Sequence, residues 1–193
     1  MNESCLNGFP PIANREARIL ILGSMPGRAS LAAGQYYAHA QNAFWPIISE
    51  LLGVDARASY RVRAMALKSA RIALWDVLRS CAREGSLDTM IAKDSEVAND
   101  FASFFGAHPR ITRVYFNGAK AEACFRRHVL PQIGDRPLGY FRLPSTSPAN
   151  ASMRPEQKLL AWRAILGPVW NPHGKPSCGL AAVGAMVTDP LGL

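Results

Sequence analysis

The residues best equipped for chemistry lie in two loops. The first is Gly23-Ser24-Met25-Pro26-Gly27, continuing through Tyr36-Tyr37-Ala38-His39-Ala40-Gln41-Asn42 into Phe44-Trp45; the second is Leu143-Pro144-Ser145-Thr146-Ser147-Pro148-Ala149-Asn150. Gly23 and Gly27 allow a ligand to come close to the backbone, and Pro26 stiffens the turn. The spacing is not Gly-x-Gly-x-x-Gly and no Lys-Ser/Thr follows it, so a nucleotide cofactor is disfavoured. Tyr36 and Tyr37 follow Leu31–Gln35, which reads as a flexible stretch. Their rings suit stacking on a nucleobase, worth ~1–3 kcal/mol per base. One is expected to stack and the other to roof the core.

Asn42 is the sharpest position. Its amide can hold and orient a water, yet Asn is also a favoured helix cap, and the two roles compete for one oxygen. Pro46 prefers a first helical position, which would make Trp45 the cap and leave the Asn42 side chain free. His39 suits a phosphate contact more readily than general acid work. Asp76 ends an apolar run beside Trp75, where a structural hydrogen bond is the plain alternative to a ligand contact. Asn117 either reads a base edge or caps the helix after Gly118. Ser145, Thr146 and Ser147 offer hydroxyls and amides fit for phosphate contacts, which position a nucleic acid without reading its sequence. Arg28, Arg154 and Lys158 flank these loops with positive charge.

Four nearly continuous apolar or β-branched runs, Ile19–Leu22, Ile72–Trp75, Thr112–Phe116 and Gly139–Leu143, must hold these residues as parallel strands. Helices are predicted over Phe44–Leu52, Ser95–Phe105 (capped by Asp94), Ala119–Val129 and Pro155–Leu166. In the helix from Ala119, Lys120, Arg126 and Arg127 are expected to face water. The alternation predicts a three-layer α/β/α sandwich around a central four-stranded, mainly parallel sheet. Residues 1–167 read as one catalytic domain; 168–193, rich in Gly, Pro and Ala, read as a loosely ordered C-terminal extension.

The 193-residue chain is long enough for one well-filled core. With 22 Lys and Arg against 14 Asp and Glu, its formal charge of +8 suits a polyanionic partner. Cys5, Cys81, Cys124 and Cys178 lack metal-ligand spacing, so no metal is expected and reduced thiols in a cytoplasmic protein are. There is no signal-peptide pattern and no apolar run long enough to span a bilayer, so no membrane association is expected.

With both loops in hand, the chain resembles the uracil-DNA glycosylase superfamily, and most of all its hypoxanthine-DNA glycosylase (DNA-deoxyinosine glycosylase) branch. The resemblance rests on Ile21-Leu22-Gly23-Ser24, Tyr36-Tyr37-Ala38-His39, Gln41-Asn42, Leu74-Trp75-Asp76-Val77-Leu78, Phe116-Asn117-Gly118 and Pro144–Asn150, within Arg18 to Leu166. It implies a monofunctional enzyme that flips deaminated bases out of DNA and releases them by hydrolysis, with no cofactor. Hypoxanthine is the first substrate implied, with uracil or xanthine as alternatives, and the chain is expected to act as a monomer on DNA containing deaminated bases. It further implies Asn42 and His39 as catalytic residues. Gly23, Ser24, Met25, Tyr36, Tyr37, Asp76 and Asn117 would line the base pocket. Arg28, Ser145, Thr146, Ser147, Asn150 and Arg154 would hold the DNA. The chain departs from the pattern at Met25, where most members carry Asp or Asn to activate water, at Leu143, where most carry His or Asn, and at Ala40, where Pro is usual. A non-catalytic binder of damaged or abasic DNA on the same fold is the alternative these departures leave open.

Overall fold

The computed structural model describes residues 5–83 and 85–167; the stretch 168–193 read as an extension lies outside them. Four strands, β2 (Ile19–Gly23), β3 (Ile72–Asp76), β6 (Arg113–Asn117) and β7 (Gly139–Leu143), form an all-parallel sheet in the order β3-β2-β6-β7. β2 and β3 are buried at every residue, as strands covered on both faces require. Three of the strands run one residue beyond the predicted ends, so Gly23, Asp76 and Asn117 are terminal strand residues held by the ladder. Gly23 is in register with Asp76, and Asn117 with Leu143.

The chain leaves β2 towards β3 on one side and later returns to β6 on the other. Right-handed crossovers then put the two helical groups on opposite faces and open a crevice beyond the strand ends at this reversal. α1 (Arg28–Ala33), α2 (Phe44–Leu52) and α3 (Tyr60–Ser69) lie between β2 and β3. α5 (Ala119–His128) and α6 (Leu130–Ile133) lie between β6 and β7, and α7 (Pro155–Trp162) follows, packing against α2. Phe44, Ile47 and Ile48 turn α2's apolar stripe inward, where Phe44 meets the fully buried Trp162 edge to face at 5.7 Å.

Three features differ from the sequence reading. A second, antiparallel sheet, β1-β4-β5, joins Cys5–Asn7 (β1), Leu78–Ala82 (β4) and Val97–Ala98 (β5). That strand consumes part of the predicted Ser95–Phe105 helix. The helix there is α4 (Phe101–Ala107), capped by Asp100, which accepts the Ser103 N–H at 3.0 Å; Asp94 caps nothing. Leu31–Gln35 is not a loose loop: it overlaps α1, which ends at a left-handed Gly34. Finally, Lys120 is drawn out of solvent onto Glu96. Among the described residues, no helix is long and apolar enough to cross a membrane.

Candidate active site

The crevice beyond β2, β3 and β6 is a cavity of about 690 Å³, within the range of small-molecule sites. Its lining brings together residues far apart in sequence: Gly23, Ser24, Met25, Arg28, Tyr36, Tyr37, His39, Asn42, Asp76, Asn117, Ser145, Thr146, Ser147 and Asn150. Of the candidate residues, Arg154 alone is not in the lining; it lies exposed at the start of α7, its backbone N–H on the Gln157 side chain.

The floor is built by backbone proximity. A Cβ on Gly23 would lie 2.1 Å from Asp76 Oδ1 and 2.8 Å from the Tyr37 hydroxyl, so only glycine fits between them. Tyr37 adopts a left-handed backbone (φ 53°) and stacks on Phe44 with ring centroids 4.1 Å apart. Its hydroxyl is buried without a hydrogen-bond partner, as is Asp76 Oδ2. Burial pushes the Asp76 carboxyl up to about 8, the nearby Asp88 charge adding to the rise and Arg83 opposing it. Tyr36 takes the packed role. It is 2 % exposed, its hydroxyl donates to the carbonyls of Phe9 and Pro10, and burial raises its pKa. Tyr36 is therefore a wall beneath the site and not a stacking platform.

Asn42 precedes α2, whose cap is Ala43; Pro46 sits in the first turn, where its missing N–H forfeits no helical bond. The expected shift of the cap to Trp45 does not occur. Asn42 Oδ1 accepts the Phe44 N–H at 3.0 Å. Asn42 thus acts from one residue before the cap: the bond fixes its amide and leaves a second lone pair and both Nδ2 protons for a ligand. His39 is exposed at the mouth, its Nδ1 accepting the Gln41 N–H at 3.2 Å.

The second loop is tied to the first through Thr146. Its N–H and Oγ1 exchange hydrogen bonds with the Asn117 side chain, both 2.8 Å, and its carbonyl accepts the Ala43 N–H at 3.0 Å. At 1 % exposure Thr146 cannot reach a phosphate. The Asn117 side chain thus clamps the loop, and it keeps one Nδ2 proton and one Oδ1 lone pair for a ligand. Ser145 and Ser147 differ. Their oxygens accept backbone N–H groups of Ser147 and Ala149, which leaves each hydroxyl proton free to donate outward. Asn150 folds the loop on itself, donating to the Ser145 carbonyl, while its own carbonyl accepts the buried Lys158 amine at 2.8 Å. Gly118 permits the loop's approach: its φ is 96°, and a Cβ would meet Ser145 Cβ at 2.9 Å. Leu143, one of the departures from the family pattern, is buried in the core. Met25 is likewise 6 % exposed.

One wall escaped the sequence reading. The segment Ser86–Thr89, between β4 and β5, enters the lining, and Asp88 accepts the Ser24 hydroxyl at 2.8 Å. Burial raises the Asp88 pKa against the Ser24 hydrogen bond and the charges of Arg83 and Lys120. Arg83 is buried behind it, donating to the Pro26 carbonyl, with Nε and Nη1 unpartnered. The loop-side charge is therefore not all positive: two carboxyls sit in the floor. No local motif marks Asp88, because its partner Ser24 lies 64 residues away.

Comparison with known proteins places this geometry. The family model described as Uracil DNA glycosylase superfamily matches residues 10–166. A protein named hypoxanthine DNA glycosylase from Methanosarcina barkeri is 43 % identical over 115 residues, 59 % of this chain and 72 % of the relative. A protein of the same name from Methanosarcina acetivorans is 35 % identical over 161 residues, 82 % of this chain and 96 % of the relative. The solution NMR structure of a Methanosarcina acetivorans protein, provisionally assigned as a uracil DNA glycosylase, superposes with a TM-score of 0.69 at 30 % identity. It covers 85 % of this chain and 100 % of that one.

Proposed function

Because this chain belongs to the uracil DNA glycosylase superfamily and is a DNA glycosylase, we propose that it flips deaminated bases out of DNA and releases them by hydrolysis. Hypoxanthine is the preferred base, following the two Methanosarcina relatives that carry its name. A deaminated base pairs weakly, which lowers the cost of extruding it from the duplex. The observation that carries the reading is a single cavity lined both by the capped Asn42 amide and by polar floor groups without protein partners.

Each step has a candidate group. Ser145 and Ser147 donate their free hydroxyl protons to backbone phosphates, helped by Arg28, by His39 at the mouth and by Arg154 beside the loop. Tyr37, stacked on Phe44, backs the pocket against which the base lies. Asp76 and the Ser24–Asp88 pair face its edge. Asn42, held by the Phe44 N–H, orients the water that attacks C1′ as positive charge grows on the sugar. The C1′–N bond breaks with its electron pair on the base, the water oxygen bonds to C1′, and the proton given up by that water balances the base. Met25, a buried thioether, cannot activate water, so that burden rests on Asn42. Lys158 is outside the cavity lining and bound to the Asn150 carbonyl, which favours a monofunctional enzyme that leaves an abasic site.

The test is base release from duplexes carrying hypoxanthine, uracil or xanthine, wild type against Asn42→Ala. The expected result is fastest release of hypoxanthine and a fall of about a hundredfold or more in the variant. Full activity in Asn42→Ala reduces that side chain to a cap. One observation favours the binder reading, the engagement of Asn42 Oδ1 by the Phe44 N–H. Lesion-selective binding with no free base from any duplex would establish it.

A further inference from the structure

Two acids in the floor of a cleft built for a polyanion call for an explanation. Asp76 is 3 % exposed, stands at the end of β3 and lines the cavity, yet Oδ2 has no hydrogen-bond donor. An ionised carboxylate buried without a donor is costly, and such groups take up a proton instead. The groups facing it are Gly23 on β2, the aromatic hydroxyls of Tyr36, Tyr37 and Tyr60, Arg83 at the end of β4 and Asp88 beyond it. Asp88 is itself held by Ser24 and sits near Lys120. Of these, Arg83 alone is cationic and next to the carboxyl, and its mapped bond goes to the Pro26 carbonyl.

We propose that Asp76 works as a neutral carboxylic acid whose O–H donates to an acceptor on the edge of the flipped base. Asp88, across the floor, is the positioning residue that keeps the proton on it. This deepens the glycosylase reading and rests on it. Deamination replaces an exocyclic amine with a carbonyl, an acceptor that can meet such a donor. As the C1′–N bond breaks, negative charge gathers on the departing base and the hydrogen bond strengthens, so it favours the transition state over the bound substrate. An ionised Asp76 would instead turn acceptor against acceptor. The device has a known physical precedent in sites where an apolar setting holds a carboxylic acid neutral so that it can donate. Burial and the Asp88 charge both act in the required direction on Asp76, up to about 8.

The test is the pH dependence of single-turnover base release from a deoxyinosine duplex by the full chain, paired with a ¹³C carboxyl titration of the free protein. For the wild type, release should fall above about pH 8, roughly tenfold per pH unit. Asp76→Asn keeps a donor that does not titrate, so the alkaline limb should vanish while activity persists. Asp88→Asn removes the neighbouring charge and should move both the limb and the Asp76 titration to lower pH. An Asp76 that titrates in the ordinary carboxylate range overturns the proposal. So does a limb unmoved in either variant, or an Asp76→Asn protein that is folded but inactive at every pH. Absence of any base release by the wild type overturns the glycosylase reading instead, and the carboxyl titration still decides this one.

Discussion

Asp76 and Glu96 are the most deeply buried carboxyls among the described residues, and the fold treats them in opposite ways. Glu96, just before β5, has a side chain with 0 % exposure and is met by Lys120, Arg127 and His128 of α5. Asp76, at the end of β3, has no donor at Oδ2. Burial pushes the Glu96 carboxyl up, but hydrogen bonds from Lys120 and His128 outweigh it and hold the group below its ordinary range. Burial pushes Asp76 up with nothing sufficient to oppose it. The satisfied carboxylate fastens the antiparallel arm to the α/β core, and that arm carries Asp88 to the cavity with Arg83 behind it. The unsatisfied one lines the cavity. Buried polar groups in native folds are almost always paired, and in the proposal above the flipped base supplies the partner that Asp76 lacks.

The contrast can be broken most severely at Gly23. A Cβ there collides with Asp76 and Tyr37, so Gly23→Ala should cut base release by about a hundredfold while the fold survives; this would be read from single-turnover rates beside the near-UV spectrum. Glu96→Gln should do the reverse. It should lower stability by about 1–3 kcal/mol at neutral pH, discounted for partners that are partly exposed, and leave base release per folded molecule within a few-fold. The folded-state pKa of Glu96 is depressed, so its stabilisation is present above the ordinary carboxylate range and is lost as pH falls through the folded value. Denaturant melts of variant and wild type should converge as pH falls below the ordinary glutamate range. Asp76→Asn should act on stability with the opposite sign. A raised folded pKa means a contribution present below the ordinary Asp value and lost as pH rises through about 8, so the variant should gain melting temperature over wild type across that window. The gain should grow with pH and be greatest at pH 8 and above.

How far these two regions were legible differs for physical reasons. The parallel strands are continuous apolar runs, and a strand that ends in Gly23, Asp76 or Asn117 announces where the crevice lies. The arm offers no such signal: β1 and β5 are three and two residues long, too short for any alternation. Val97 and Ala98 pair with β4 instead of extending a helix, and Asp88 acquires meaning only through Ser24. Ser145, Thr146 and Ser147 are chemically alike in sequence. Packing alone separates the clamp at Thr146 from the two hydroxyls that face outward. Likewise Tyr36 and Tyr37 are neighbours of one type, divided by which ring enters the core.

The account stands or falls on the product. A duplex with a single deoxyinosine, incubated with excess protein and resolved by chromatography, should yield one equivalent of free hypoxanthine and a strand that breaks only on alkali treatment. Recovery of the intact strand, with hypoxanthine, uracil and xanthine alike retained on the DNA, would contradict it.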